Sequence, residues 1–147
     1  MEKPKSILWI KRFAILQVIL SFLLVGLLIA VAGLEIKNEV WLSFKQGFLS
    51  QLASQGIKEY NFQIAGAIAA SPLLGMAASI LALMAIQRRE KRLTYITLVV
   101  LGGHILAGLS GGTISLLSVG MFVLLLTKTG KEYVGLSGGR PKIRGIE

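Results

Sequence analysis

Charged side chains are segregated along this chain. No Asp, Glu, Lys or Arg occurs from Phe13 to Leu34 (22 residues), from Tyr60 to Gln87 (28 residues) or from Leu93 to Thr127 (35 residues). A bilayer core of about 30 Å takes roughly 20 apolar residues at about 1.5 Å each, so windows of this length predict membrane-spanning helices. The composition agrees: 54% of the 147 residues are hydrophobic. In a chain this short, that apolar content is expected to face lipid rather than fill a water-soluble core.

The first window predicts a span over 13–34 and the second a span over 62–87. As one helix, the third would run about 52 Å, well beyond the bilayer core. It is therefore divided at Gly108-Leu109-Ser110-Gly111-Gly112 into spans at 93–109 and 113–127. Charge supports the division. Four basic residues precede the first span (Lys3, Lys5, Lys11, Arg12), four lie at Arg88, Arg89, Lys91 and Arg92, and five follow Thr127. Three more, in 35–59, are accompanied by Glu35, Glu39 and Glu59. Four spans put all the strongly basic groups on the cytoplasmic side, as the positive-inside rule requires; three spans would export the most basic tail. The expected fold is an all-α integral membrane protein, a four-transmembrane-helix bundle with both termini cytoplasmic. Residues 1–127 form the single membrane domain, and 128–147 form a basic, flexible cytoplasmic tail. Ala30-Val31-Ala32 after a basic start also fits a signal-peptide cleavage site, but the apolar run exceeds the usual 7–15 residues, so a retained helix is expected.

The first outer segment, 35–59, has its own periodicity. Ile36, Val40, Trp41, Phe44, Phe48 and Leu52 recur at three- and four-residue steps, with Asn38, Glu39, Lys45 and Gln46 mainly opposite. This predicts an amphipathic helix in the outer interface, with Trp41 at headgroup depth. Trp41, Phe44 and Phe48 would either lid the bundle or meet a partner or lipid. Within the spans, two stripes of small residues stand out: Ala67, Ser71, Gly75 and Ser79 on the second, and Gly103, Ala107 and Gly111 on the third. Such stripes let helices approach closely, which is the main source of association in lipid. They predict packing of spans two and three on each other, or of one stripe on another subunit. Pro72 is expected to kink the second span.

Candidate chemistry is sparse. There is no Cys and no Asp, and every Glu lies outside the charge-free windows. Thiol chemistry, a Ser-His-Asp triad and an intramembrane carboxylate relay are all excluded. His104 is the only His. Its readings are a neutral side chain bonded to a neighbouring helix, through Gln17, Ser21 or Gln63, or else a proton-relay residue or metal ligand. Gln17 and Ser21 lie one turn apart and suit interhelical hydrogen bonds. No metal or cofactor is expected, since a metal site needs several ligands. The net charge of +9 is read as contact with anionic lipid through Arg88, Arg89, Lys91, Arg92, Lys128 and Lys131 rather than with nucleic acid, because no compact basic domain exists.

Leu136-Ser137-Gly138-Gly139-Arg140 resembles the signature loop of ABC-transporter ATPases, but over five residues only and without any GxxxxGK[ST] loop. The overall layout is similar to that of small four-span bacterial membrane proteins. The absence of Cys separates the chain from tetraspanins, claudins and vitamin K epoxide reductases. The absence of an intramembrane Glu separates it from small multidrug exporters. The expected function is a non-enzymatic subunit or accessory factor of a larger assembly in a prokaryotic plasma membrane, with other membrane subunits or further copies of itself as partners. A homo-oligomeric, holin-like pore is the alternative, and a small carrier using His104 a third reading.

Overall fold

The computed structural model describes residues 4–110 and 115–136, and among these it is helical throughout, with no strand. Six helices follow one another: α1 (Lys5–Gly33), α2 (Glu39–Ser54), α3 (Phe62–Arg88), α4 (Lys91–Ser110), α5 (Leu116–Leu126) and α6 (Lys128–Tyr133). Of these, α1, α3 and α4 are long and apolar enough to cross a membrane. The described part of the fourth expected span, α5, is apolar but has 11 residues, about 16 Å of helix.

On α3, side-chain size rather than hydrophobicity separates the packed face from the surface. The buried positions of α3 are mostly small: Ala65, Ala69, Gly75, Ala78, Ser79, Ala82 and Ala85. Many large apolar side chains of the bundle point outward, with Phe22, Val99, Leu106 and Leu116 each at least two-thirds exposed. That inversion suits lipid, where apolar surface costs nothing to expose and close backbone approach supplies the packing energy. α1 packs most extensively on α3, and α3 also on α4; α5 closes the bundle against α1 and α4.

The buried faces follow a three-four repeat. On α1 they are Ile7, Ile10, Ala14, Gln17, Ser21, Leu28 and Val31. On α4 they are Thr94, Thr97, Leu101, His104 and Gly108. Spacing of this kind keeps one seam of each helix against its neighbours at the shallow crossing of a left-handed bundle. The repeat also explains why α1 begins at Lys5 and not near Phe13. Ile7 and Ile10 are fully buried in one cluster with Ile86 and Val134. Lys11 and Arg12 stay exposed, with the Arg12 guanidinium 5.3 Å from the Trp9 ring centre.

At the basic end, α3 and α4 are joined by Arg89 and Glu90 alone. Arg89 adopts a left-handed conformation (φ 54°) and its N–H bonds the Ala85 carbonyl. The guanidinium lies over the Tyr133 ring at 4.2 Å and donates to the Tyr133 hydroxyl at 3.0 Å. Residues 128–136, the start of the expected flexible tail, therefore fold: α6 lies against the α3–α4 turn and Val134 enters the core. Thr127 caps α6 by accepting from the Gly130 N–H at 3.1 Å. Gly130 is required there, because a Cβ would collide with the Leu124 carbonyl. The remainder of the tail, 137–147, and Gly111 of the second small-residue stripe lie outside the described residues.

At the other end, α2 is capped by Asn38, whose Oδ1 accepts from Val40 N at 2.9 Å. It ends at Gly56 (φ 88°), past which Ile57 N–H reaches back to the Leu52 carbonyl, closing the helix as a Schellman turn does. Asn61 caps α3 by accepting from Ile64 N–H at 3.0 Å. α3 continues through Pro72 to Arg88 as one helix.

Candidate functional site

A polar layer crosses the middle of the bundle. On α1, Gln17 is 5% exposed. Its Nε2 donates to the Ser118 hydroxyl of α5 at 2.8 Å, and that hydroxyl lies 3.2 Å from Gln17 Oε1, to which it can donate in turn. Gly75 of α3 makes the crossing possible. A Cβ built there would lie 2.6 Å from Gln17 Nε2 and 3.0 Å from His104 Nε2, so two polar side chains from different helices occupy the space a larger residue would need. Measured along α1, α3 and α4, this layer lies about 18–20 Å from each helix's basic end.

The buried hydroxyls around it are mostly satisfied within their own helices. Ser79 donates to the Gly75 carbonyl, Thr94 to Glu90 and Thr97 to Leu93, at 2.8–3.0 Å. Such back-bonding meets the demand of a hydroxyl in an apolar interior. His104 differs. It is 5% exposed, and its Nδ1 is buried with no hydrogen-bond partner among the described residues. The expected bond to Gln17, Ser21 or Gln63 is not formed: Gln17 is engaged with Ser118, and Gln63 is exposed near the far end of α3.

Beside this layer is a cleft of about 260 Å³ between α1, α3, α4 and the start of α5. His104 and Gln17 lie in it, together with the hydroxyl-bearing Ser21, Ser71 and Ser115. Leu20 and Leu24, half exposed, line its lipid-facing side. Leu24 occupies the one position in the α1 repeat that is not buried. Among the described residues no cluster of three or more His, Cys, Asp or Glu is placed to hold a metal.

The two small-residue stripes are divided by burial. Gly75 and Ser79 are buried, while Ala67 and Ser71 are exposed. Gly103 and Ala107 are exposed as well, and a Cβ at Gly103 would meet nothing within 4 Å. The face of α3 that packs inside the bundle is instead the run of alanines from Ala65 to Ala85. Ser118 was not legible as a site residue on its own. Its signal is its register with Met121 and Leu125, the other buried positions of α5.

On α2, Trp41, Phe44 and Phe48 form a row with ring centres 5.8 and 6.3 Å apart. The row continues to Tyr60, edge-on to Phe48 at 5.5 Å, and the Tyr60 hydroxyl donates to the Leu28 carbonyl of α1 at 2.9 Å. Burial pushes the Tyr60 phenol above its ordinary pKa. An open apolar groove of about 540 Å³ separates the start of α2 from α1, bounded by Leu27, Ile36, Trp41 and Phe44. The six basic residues Arg88, Arg89, Lys91, Arg92, Lys128 and Lys131 are all exposed, at the end of the bundle that carries the α3–α4 turn and α6.

These features define a small all-helical protein with three helices suited to crossing a membrane and a polar layer at mid-bundle. No protein-family model, curated protein or solved structure matches this chain.

Proposed function

We propose that this chain is a four-span plasma-membrane protein of a prokaryote, with both termini in the cytoplasm, and that it acts without catalysis as a subunit or assembly factor of a larger membrane complex. The observation that carries this reading is the state of α2. Its apolar side chains Val40 and Phe44 are exposed, and an open groove lies between its start and α1. A helix with one apolar face left uncovered is suited to docking in the headgroup region or on a neighbouring protein. The exposed small residues Ala67, Ser71, Gly103 and Ala107 add a surface on which another membrane helix can approach closely. The orientation rests on the Lys and Arg clusters, which gather at the end of the bundle opposite α2.

Extraction in mild detergent, followed by native mass measurement and identification of copurifying proteins, tests the proposal. A stoichiometric foreign membrane protein is expected, and it should be lost from Phe44→Asp. Recovery as a lone monomer or as a pure homo-oligomer overturns the reading. Because the chain has no Cys, topology can be read from single substitutions. Ser43→Cys should react with an impermeant maleimide in intact cells, and Lys128→Cys only after permeabilisation.

A further inference from the structure

The cleft beside His104 has the composition of a binding site for an amphiphile. Ser118 bonds Gln17 near the middle of the bundle, so α5, which begins two residues earlier, starts inside the bundle rather than at its outer end. α1 continues for about 18 Å beyond Ser21. The N-terminus of α5 thus opens into the cleft at a depth where water is scarce. Ser115 caps it by accepting from the Ser118 N–H at 3.3 Å. The N–H groups of Leu116 and Leu117 stand at this same helix end.

Two side chains independent of that helix end point to a ligand. His104 and Ser21 both line the cleft and are 5% and 6% exposed. Neither makes a side-chain hydrogen bond among the described residues, whereas the buried hydroxyls of Ser79, Thr94 and Thr97 all do. A buried polar group without a partner costs about 1–3 kcal/mol. His104 Nδ1 is such an atom, and the Ser21 hydroxyl lines the same opening, so a molecule that bonds both side chains accounts for the pair.

The chemistry of the opening narrows that molecule. Among the described residues no Lys, Arg, Asp or Glu lines the cleft. The positive end of a helix carries about half a unit charge, and one imidazole can hold one proton, so the site matches at most a single negative charge. Backbone N–H groups donate only, so the ligand head must accept. A carboxylate, with about four acceptor positions, fits this set better than a phosphate dianion. Leu20 and Leu24 lead from the polar floor to the lipid-facing surface, the path an acyl chain would take.

We propose that this cleft binds the carboxylate head of a single-chain fatty acid. The head lies between His104, Ser21 and the N-terminus of α5, and the acyl chain leaves along Leu20 and Leu24 into the bilayer. Ser71, exposed at the mouth, sets the width of the entrance.

The test uses the full-length chain in phosphatidylcholine vesicles with a diazirine-bearing palmitate as probe. Cross-links are expected on the turn of α1 containing Leu20 and Leu24, displaced by palmitate but not by hexadecanol. Labelling should fall at least about tenfold in His104→Leu, the loss of one hydrogen bond to a charged group. Ser71→Leu, which fills the mouth from an exposed position and leaves the core untouched, should lower labelling to a similar degree, and it keeps the proposal testable if His104→Leu fails to fold. Equal competition by hexadecanol overturns the proposal, because it shows that the head is not recognised. Displacement by phosphatidate but not palmitate also overturns it, by assigning the site to a phosphate headgroup. So does labelling spread evenly over the lipid-facing Phe22 and Leu23, or labelling unchanged in both variants.

Discussion

Gln17 and Ser118, 101 positions apart in the chain, share a hydrogen bond of 2.8 Å in the bundle interior. The bond ties α1 to the short apolar helix α5, and it sets the level at which α5 begins. Its energetic weight can be measured directly. Interhelical side-chain hydrogen bonds in membrane proteins average about 0.6 kcal/mol and reach about 1.7. A double-mutant cycle of Gln17→Ala and Ser118→Ala in detergent should therefore give a coupling of roughly 0.5–1.5 kcal/mol. Strict additivity would show that the two side chains do not interact.

The glycines are expected to sort by what a side chain would meet. Gly75→Val must displace Gln17 and His104 together, and should destabilise by about 1–3 kcal/mol, the usual range for overpacking. Gly75→Ala should cost less, since both obstacles are side-chain ends that can shift. Gly130→Ala meets the backbone carbonyls of Leu124 and Leu125, which cannot withdraw, so α6 should detach. Gly26→Ala faces open space and should change thermal stability by less than about 0.5 kcal/mol. Thermal unfolding of the four variants in one detergent checks the order.

Arg89 holds α6 to the α3–α4 turn through both its charge and a hydrogen bond. Arg89→Gly keeps the left-handed turn (φ 54°) without strain but removes the contact with Tyr133. The loss is expected to be about 0.5–2 kcal/mol of local stability. Limited trypsin digestion from the basic side should cut at Lys128 and Lys131 faster in Arg89→Gly and in Tyr133→Ala than in the parent. Unchanged cleavage in both would show that α6 is held by Val134 alone.

Tyr60 links the aromatic row of α2 to the end of α1. Tyr60→Phe keeps the ring against Phe48 but loses the bond to the Leu28 carbonyl, so hydrogen exchange in 39–54 should quicken by a few-fold. The raised pKa has a definite sign. The folded state favours the protonated phenol, so this contribution is complete below the ordinary tyrosine range and is lost as pH climbs through the higher folded value. Titration of tyrosinate absorbance, comparing parent with Tyr60→Phe, should show one group ionising later than exposed tyrosine. Its absence would place Tyr60 in water.

Much of the architecture was legible in one dimension. Three charge-free windows and the intervening basic groups place α1, α3 and α4, because a bilayer punishes charge wherever it occurs along a span. The amphipathic period of 35–59 places α2 for a similarly local reason: the apolar and polar faces of a single helix are visible in its own sequence. By contrast, the small-residue stripes pointed partly to the surface. Ala67, Ser71, Gly103 and Ala107 share the spacing of Gly75 and Ser79 but not their burial, since small side chains occur on both the packed and the lipid-facing sides of these helices.

The all-helical class, the lipid-compatible surface and the exclusion of Asp, Glu, Lys and Arg from three long apolar windows are written in the amino-acid order alone. Each follows from the cost of placing charge or unpaired backbone in hydrocarbon. Three features follow from the assembled bundle and not from any one segment: Gln17 pairs with Ser118 and not with His104, Gly75 makes room for both polar side chains, and residues 128–136 fold across the basic end. These depend on which helix faces are brought together. The fit of four helices at one level is a property of their mutual rotation and offset, which no single segment encodes.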